Sequence, residues 1–175
     1  MRTVLFALMG LLTCANADAL PKVGEMAPDF TAVDEQGNTI RLKDLRGSPV
    51  VLYSYPKDDT PGCTVEAKQF TEAHKDFQAL GAVVLGVSGQ DAQSHKEFKQ
   101  KYGITFPLLV DPERKLMKDY GMWNGVMASR MTVLIGPDGR VAAVWPTVKP
   151  DGHDDEVMAE LRKLLAAQQK AAPKK

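Results

Sequence analysis

Residues 49–88 decide the fold, and they read PVVLYSYPKDDTPGCTVEAKQFTEAHKDFQALGAVVLGVS. The continuous apolar runs from Pro49 to Tyr55 and from Ala82 to Ser88 predict two buried strands. Between them, apolar side chains recur at helical spacing and predict a helix from about Cys63 to Leu80, which Gly81 ends. Two buried strands joined through a helix are typical of a layered α/β fold.

The remaining elements extend this unit on both sides. Helices are predicted from Asp91 to Tyr102 and from about Glu113 to Tyr120, and a strand from Phe106 to Val110 separates them. The order predicts an α/β protein whose mixed central β-sheet is flanked by helices on both faces, with an N-terminal β-hairpin. The other predicted elements are two hairpins, Phe30–Val33 with Thr39–Leu42 and Met131–Ile135 with Arg140–Trp145, and a last helix from about His153 to Ala167.

Length and charge limit the classes of function. The 175 residues, 44% of them hydrophobic, suffice for one domain with a full core. Lysine and arginine together number 22, aspartate and glutamate also number 22, and no basic stripe interrupts this balance. The sequence therefore gives no basis for nucleic-acid or anionic-membrane binding, and it favours a small molecule or another protein as the partner.

The first residues are typical of an export signal. Arg2 supplies a positive charge, residues 3–12 form an apolar run, and a small-x-small cleavage pattern ends at Ala17. We expect residues 1–17 to be a signal peptide that is cleaved after Ala17, or after Ala19, and the mature protein to be periplasmic. The apolar run is shorter than the roughly 20 residues that span a bilayer, so no stable membrane insertion is expected.

The limits of the folded domain depend on both termini. Leu11-Leu12-Thr13-Cys14 resembles a bacterial lipoprotein box, in which Cys14 would carry the lipid, and this is the alternative to a cleaved signal peptide. At the other end, the composition of residues 168–175 predicts a disordered tail. The predicted folded domain therefore spans residues 18–167.

Cys63 is the only thiol left after either kind of N-terminal processing. A cysteine at a helix N-terminus faces unpaired backbone N–H groups and the positive end of the helix dipole, and both favour the thiolate. An unpaired cysteine in an exported protein suggests a reactive thiol or an intermolecular disulfide. The alternative is an inert buried cysteine, since free cysteine is among the residue types most often buried.

The spacing Pro56-x-x-x-Thr60-x-x-Cys63 resembles the active-site signature of the peroxiredoxins. The wider run from Tyr55 to Ala67 resembles their bacterioferritin comigratory protein, or peroxiredoxin Q, branch. The resemblance covers about residues 22–165, and it implies a thioredoxin-like fold and the reduction of hydrogen peroxide or organic hydroperoxides. Further matching segments are Ala27–Phe30, Leu45–Gly47, Tyr102–Pro107, Ser129–Thr132 and Gly136–Gly139.

The resemblance implies a role for four residues, and it implies no cofactor and no metal. Cys63 would be the peroxidatic nucleophile, which attacks a peroxide oxygen and becomes a sulfenic acid. The Thr60 hydroxyl can donate and accept hydrogen bonds, and Pro56, which has no N–H, can shape and partly dry the pocket. Arg130 would bring a permanent positive charge to the thiolate and the developing oxyanion. Alternatively, Thr60 is an ordinary helix N-cap and Arg130 a surface salt-bridge partner.

The chain departs from the branch at the resolving cysteine. Many members carry it five positions after the peroxidatic cysteine, where this chain has Lys68, and others carry it in the following helix, where residues 91–102 contain none. We therefore predict a one-cysteine mechanism. An external thiol would restore Cys63, either a thioredoxin-like or glutaredoxin-like protein or a low-molecular-weight thiol. The resemblance also implies a monomer or weak homodimer, and Ser54 replaces an aromatic residue common in the branch.

Three other classes of function use a reactive thiol, and the sequence fits them to different degrees. A non-enzymatic peroxide sensor or redox interaction module would use Cys63 without turnover. A thioredoxin-like disulfide oxidoreductase would need a second cysteine, whereas this chain has Thr60-Pro61-Gly62-Cys63. A cysteine protease would need a histidine base, and His74, His95 and His153 are expected to be solvent-facing helical residues.

Overall fold

The computed structural model describes residues 20–171, so the predicted signal peptide and Cys14 lie outside the described residues. Within this range, seven strands form one sheet in the order β2-β1-β5-β4-β3-β6-β7. The strands are β1 (Thr31–Asp34), β2 (Thr39–Arg41), β3 (Val50–Ser54), β4 (Val83–Ser88), β5 (Leu108–Val110), β6 (Met131–Ile135) and β7 (Val141–Trp145). The helices are α1 (Pro61–Glu72), α2 (His74–Ala79), α3 (Ala92–Tyr102), α4 (Lys115–Asp119) and α5 (His153–Ala171), and a 3-10 helix spans Leu42–Leu45.

The sheet is mixed, as predicted. Its centre is parallel, because β3 pairs with β4 and β4 pairs with β5 in the same direction. On the two sides, β6 runs antiparallel to β3 and β1 runs antiparallel to β5. All five residues of β3 are buried. Central strands of such a sheet are covered on both faces, which explains why their sequences are continuously apolar instead of alternating.

Helices cover both faces of the sheet, which confirms that prediction. On one face, Leu116 and Met117 of α4 join the hydrophobic core. On the other face, α1, α2, α3 and α5 all contribute side chains to a second core. There the ring of Tyr53 in β3 stacks on Phe70 of α1, with ring centroids 4.9 Å apart. This contact fixes α1 against the end of β3, where the chain enters the loop that precedes Cys63.

The helix predicted from Cys63 to Leu80 is in fact two helices, α1 and α2, separated at Ala73. The Thr71 hydroxyl donates a hydrogen bond of 2.7 Å to the backbone oxygen of Ala67, one turn earlier. Such back-bonding competes with the helical backbone pattern and bends helices. The bend falls two residues later, where Ala73 has ψ −6°.

The last helix is longer than the sequence predicts. α5 continues to Ala171, so residues 168–171 are helical and the prediction that they belong to a disordered tail is wrong. Alanine, glutamine and lysine, which make up this extension, are adequate to strong helix formers, and a polar composition alone does not end a helix. Residues 172–175 lie outside the described range. None of the helices described between residues 20 and 171 is both long and apolar enough to cross a membrane.

Candidate active site

Cys63 is the third residue of α1, which begins at Pro61 directly after the loop that leaves β3. Proline suits the first helical position because its missing N–H would have no partner there. The cysteine is only 1% exposed, and it forms no disulfide within residues 20–171. Burial by itself fits an inert cysteine. The neighbours of the sulfur therefore decide whether Cys63 is an inert cysteine or a reactive thiol.

Arg130 reaches Cys63 through strand pairing. It directly precedes β6, and the antiparallel register places Met131 opposite Ser54, the last residue of β3. The Arg130 guanidinium therefore lies beside the start of α1, where its Nη2 donates a hydrogen bond of 3.3 Å to the Cys63 Sγ. The Arg130 side chain is 17% exposed. The structure thus brings together two predicted site residues that are 67 positions apart in sequence.

Thr60 has the backbone conformation of a helix N-cap, with φ −94° and ψ 152°, but its side chain makes no capping hydrogen bond. Its hydroxyl instead donates to the backbone oxygen of Lys57 at 3.0 Å. Because the hydrogen is used in this way, the oxygen lone pairs remain able to accept a hydrogen bond. Pro56, partly buried, begins the same loop. Thr60 therefore occupies the N-cap position of α1, but its hydroxyl does not cap the helix.

Glu66 is a site residue that the sequence interpretation missed. It lies three positions after Cys63, on the same face of α1, and is 1% exposed. Its Oε2 accepts a hydrogen bond of 2.5 Å from the Arg130 Nη1, so the two guanidinium nitrogens face a carboxyl and a sulfur. Burial raises the pKa of Glu66 to about 7, although the charge of Arg130 opposes this change. A glutamate on an otherwise apolar helix face was the available sequence signal.

Two buried polar atoms near Cys63 and Arg130 lack hydrogen-bond partners within the described part of the chain. They are Glu66 Oε1 and the Tyr53 hydroxyl. Burial is the main cause that raises the pKa of Tyr53, and the charges of Glu66 and Cys63 add to it. Tyr53 therefore stays a neutral phenol beside the site.

Ser54 has a structural explanation that the sequence did not offer. The residue is fully buried, and its hydroxyl donates a hydrogen bond of 2.7 Å to the backbone oxygen of Ser129. Ser129 immediately precedes Arg130. An aromatic side chain other than tyrosine has no hydroxyl for this bond. Ser54 thus fixes the backbone that carries the arginine.

The segment Pro146–Gly152, between β7 and α5, closes one side of the site, and sequence patterns did not indicate this. Val148 N–H donates to the Arg130 backbone oxygen at 3.2 Å. Gln69 of α1 donates to Asp151 at 3.0 Å and accepts from the Gly152 N–H at 3.2 Å. These contacts fix α1 and Arg130 relative to each other.

The prediction that the three histidines face solvent is wrong. His74, His95 and His153 are 8%, 0% and 1% exposed. An imidazole ring can be buried when its nitrogens find hydrogen-bond partners, and each of these rings has at least one such partner. The partners are Thr105 Oγ1 at 2.7 Å for His74, Asp58 Oδ2 at 2.8 Å for His95, and Thr132 Oγ1 at 2.8 Å for His153.

Known proteins resemble this chain in both fold and sequence. Residues 23–144 match the family model described as AhpC/TSA family. A peroxiredoxin bcp relative from Coxiella burnetii is 42% identical over 150 residues, covering 80% of this chain and 98% of the relative. The solved structure of a Xylella fastidiosa PrxQ mutant is 32% identical with a TM-score of 0.78, covering 83% of this chain and 98% of that chain. A Xanthomonas campestris bacterioferritin comigratory protein, described with an alkyl peroxide reduction activity, is 33% identical with a TM-score of 0.75, covering 83% and 97%.

A single thiol that receives a hydrogen bond from an arginine, on a thioredoxin-like sheet, is the arrangement of a thiol-dependent peroxidase. The chain belongs to the AhpC/TSA family, among the peroxiredoxins of the Bcp and PrxQ type. The predicted fold class, the resemblance and the enzyme class are confirmed.

We expect Gly62→Ala to slow the oxidation of Cys63 by peroxide about tenfold or more, with little loss of stability. A Cβ atom at residue 62 would lie 3.1 Å from Arg130 Nη2 and 3.5 Å from Pro150 Cγ, so the guanidinium has to move. A displacement of about 1 Å in a catalytic arrangement can cost up to about 100-fold in rate. Stopped-flow measurement of the second-order rate constant tests this. Gly89→Ala is the matched control, because its Cβ would meet no atom closer than 3.6 Å; equal rates for both variants would contradict the prediction.

Glu66 predicts a pH dependence of stability. Its pKa is 4.5 ordinarily and about 7 in the folded protein, so between these values the unfolded chain loses its proton first. Wild-type stability relative to Glu66→Gln should therefore fall as pH rises from about 4.5 to 7, by roughly 3 kcal/mol in total, and should be level above pH 7. Urea unfolding of both proteins across this range measures the difference. A difference that stays constant or grows with pH would show that Glu66 is ionised throughout.

Proposed function

We propose that Cys63 performs the peroxidase reaction without the help of a second cysteine of this chain. The thiolate sulfur attacks the terminal peroxide oxygen, the O–O bond breaks, and Cys63 becomes a sulfenic acid. The departing hydroxide or alkoxide takes up a proton and leaves as water or an alcohol. The observation that carries this proposal is the 3.3 Å hydrogen bond from Arg130 to the Cys63 sulfur.

In this reaction each site residue has a distinct task. Arg130, which stays protonated, stabilises the thiolate and then the negative charge that develops on the peroxide oxygens. The Thr60 oxygen accepts a hydrogen bond from the peroxide O–H, since its own hydrogen is directed to Lys57. Pro56 begins the loop without an N–H that would need a partner. Glu66 orients the guanidinium through the 2.5 Å bond to Nη1.

The substrates we propose are hydrogen peroxide and organic hydroperoxides. The alkyl peroxide reduction described for the Xanthomonas campestris neighbour supports the second class. In both, the reacting group is an O–O bond with at least one terminal O–H. The same contacts to Thr60 and Arg130 therefore serve either substrate.

We infer that reduction needs an external thiol. Cys63 is the only cysteine among residues 20–171, and Lys68, five positions later, is exposed. A first thiol attacks the sulfenic sulfur and releases water, and a second thiol then breaks the mixed disulfide and restores Cys63. The candidate reductants are a thioredoxin-like protein, a glutaredoxin-like protein or a low-molecular-weight thiol. We propose that the protein works as a monomer or a weak homodimer.

The reduced protein, mixed with substoichiometric hydrogen peroxide, should form one sulfenate at Cys63 by trapping and mass spectrometry. Arg130→Ala should slow this oxidation about 100- to 1,000-fold, and Arg130→Lys should recover only part of it, since lysine keeps the charge but not the two-nitrogen geometry. Cys63→Ser is the inactive control. Peroxide consumed no faster than by free cysteine would refute the peroxidase role. Oxidation without turnover, with all three kinds of reductant present, would favour the sensor function.

We also propose that the protein is exported to the periplasm. The charge at Arg2, the apolar run at residues 3–12 and the cleavage pattern ending at Ala17 support this. The full-length chain expressed in a bacterial host should appear in the periplasmic fraction with a mass that lacks residues 1–17 or 1–19. A membrane-bound form that Cys14→Ala releases would instead establish the lipoprotein.

A further inference from the structure

A buried polar cluster links α3 to the loop that precedes Cys63. Its centre is the Asp58 carboxyl, which is nearly inaccessible to solvent. Asp58 Oδ1 accepts a hydrogen bond of 2.8 Å from the Tyr55 hydroxyl, and Oδ2 accepts one of 2.6 Å from the Ser94 hydroxyl. His95 Nδ1 lies 2.8 Å from the same Oδ2. One loop carboxyl therefore has three partners, two of them on α3.

His95 has a hydrogen-bond partner at each of its ring nitrogens. Its Nδ1 faces the Asp58 carboxyl and its Nε2 faces the backbone oxygen of Leu109 at 3.2 Å. A carbonyl oxygen only accepts, so Nε2 must carry a hydrogen. Burial raises the pKa of Asp58, but the hydrogen bond and charge of His95, with the Ser94 and Tyr55 hydroxyls, outweigh it and lower that pKa overall. Asp58 is thus a carboxylate held by three side chains, of which His95 and Ser94 belong to α3.

The next loop residue is also held by α3. Asp59 has a positive φ of 56°, a conformation that costs free energy for a residue other than glycine. Lys101 Nζ donates to its carboxylate at 2.7 Å, and the Tyr102 hydroxyl donates at 2.5 Å. Both ends of α3 therefore bind consecutive loop aspartates. Thr60 follows directly, and its hydroxyl is oriented by the backbone oxygen of Lys57 in the same loop.

We propose that His95, through its buried hydrogen bond with Asp58, is a positioning residue for the peroxide reaction. It holds the loop from Pro56 to Thr60 and thereby sets where the Thr60 hydroxyl lies relative to Cys63. His95 touches neither Cys63 nor the peroxide, so its effect passes through Asp58 and the loop. The inference rests on the attack of Cys63 on peroxide.

Rate constants for Cys63 oxidation, measured well below the unfolding temperature of every variant, test the proposal. His95→Gln loses the donor to Asp58 and should be oxidised about ten- to 100-fold more slowly. His95→Asn places an amide N–H near the Nδ1 position and should recover part of the rate. His74→Gln is the matched control: it also alters a buried histidine, but one bound to Thr105, so it should lower the unfolding temperature without slowing oxidation.

A Thr60→Val background separates positioning from a general structural role. With the hydroxyl gone, His95→Gln should cause no further slowing, because there is no group left to misplace. Equal slowing in both backgrounds would overturn the proposal, as would a folded His95→Gln protein that reacts at the wild-type rate. Wild-type protein that does not react with peroxide would instead refute the peroxidase role itself.

Discussion

The antiparallel pairing of β3 with β6 is the contact on which the candidate site depends. It places Met131 opposite Ser54, so the residue before β6 lies next to the loop that leaves β3. A shift of one residue in this register would turn every β6 side chain to the opposite face. The Ser54 hydroxyl, bonded to the Ser129 backbone oxygen, adds a polar constraint at that point. Cys63 meets an arginine because two strands have this register.

This register buries the charged guanidinium of Arg130, and Glu66 provides one of its two hydrogen-bond acceptors. A guanidinium that is 17% exposed has lost most of its water, and it donates hydrogen bonds to a carboxyl and a sulfur instead. Both neighbours can be negative, so they compete for one positive charge. Because the pKa of Glu66 is about 7, this carboxyl carries a proton for part of the time near neutrality. The charge of Arg130 then acts mainly on Cys63.

The sequence predicts the site residues that lie within one short motif, but it does not predict those that the fold brings to the site from elsewhere in the chain. Pro56, Thr60 and Cys63 lie within one short motif, and the continuous apolar runs predict the central strands. Arg130 was identified through the resemblance, since its approach to Cys63 depends on strand register. Glu66, Asp58 and His95 were missed because their burial follows from how α1 and α3 pack. The three histidines show the reason most clearly. Their polar side chains led to the prediction that they face solvent, but the fold supplies each ring with a hydrogen-bond partner and so allows it to be buried.

Burial of Cys63 shapes how a one-cysteine enzyme can work. A sulfur that is 1% exposed admits a small peroxide far more easily than the thiol of another protein. Gln69, near the end of α1, is hydrogen-bonded to Asp151 and Gly152 in the segment before α5. Among the described residues, no hydrogen bond joins that segment to the first turn of α1, which carries Cys63. Reduction by a protein thiol therefore requires the sulfur to be more exposed than it is in this arrangement, where Arg130 contacts it.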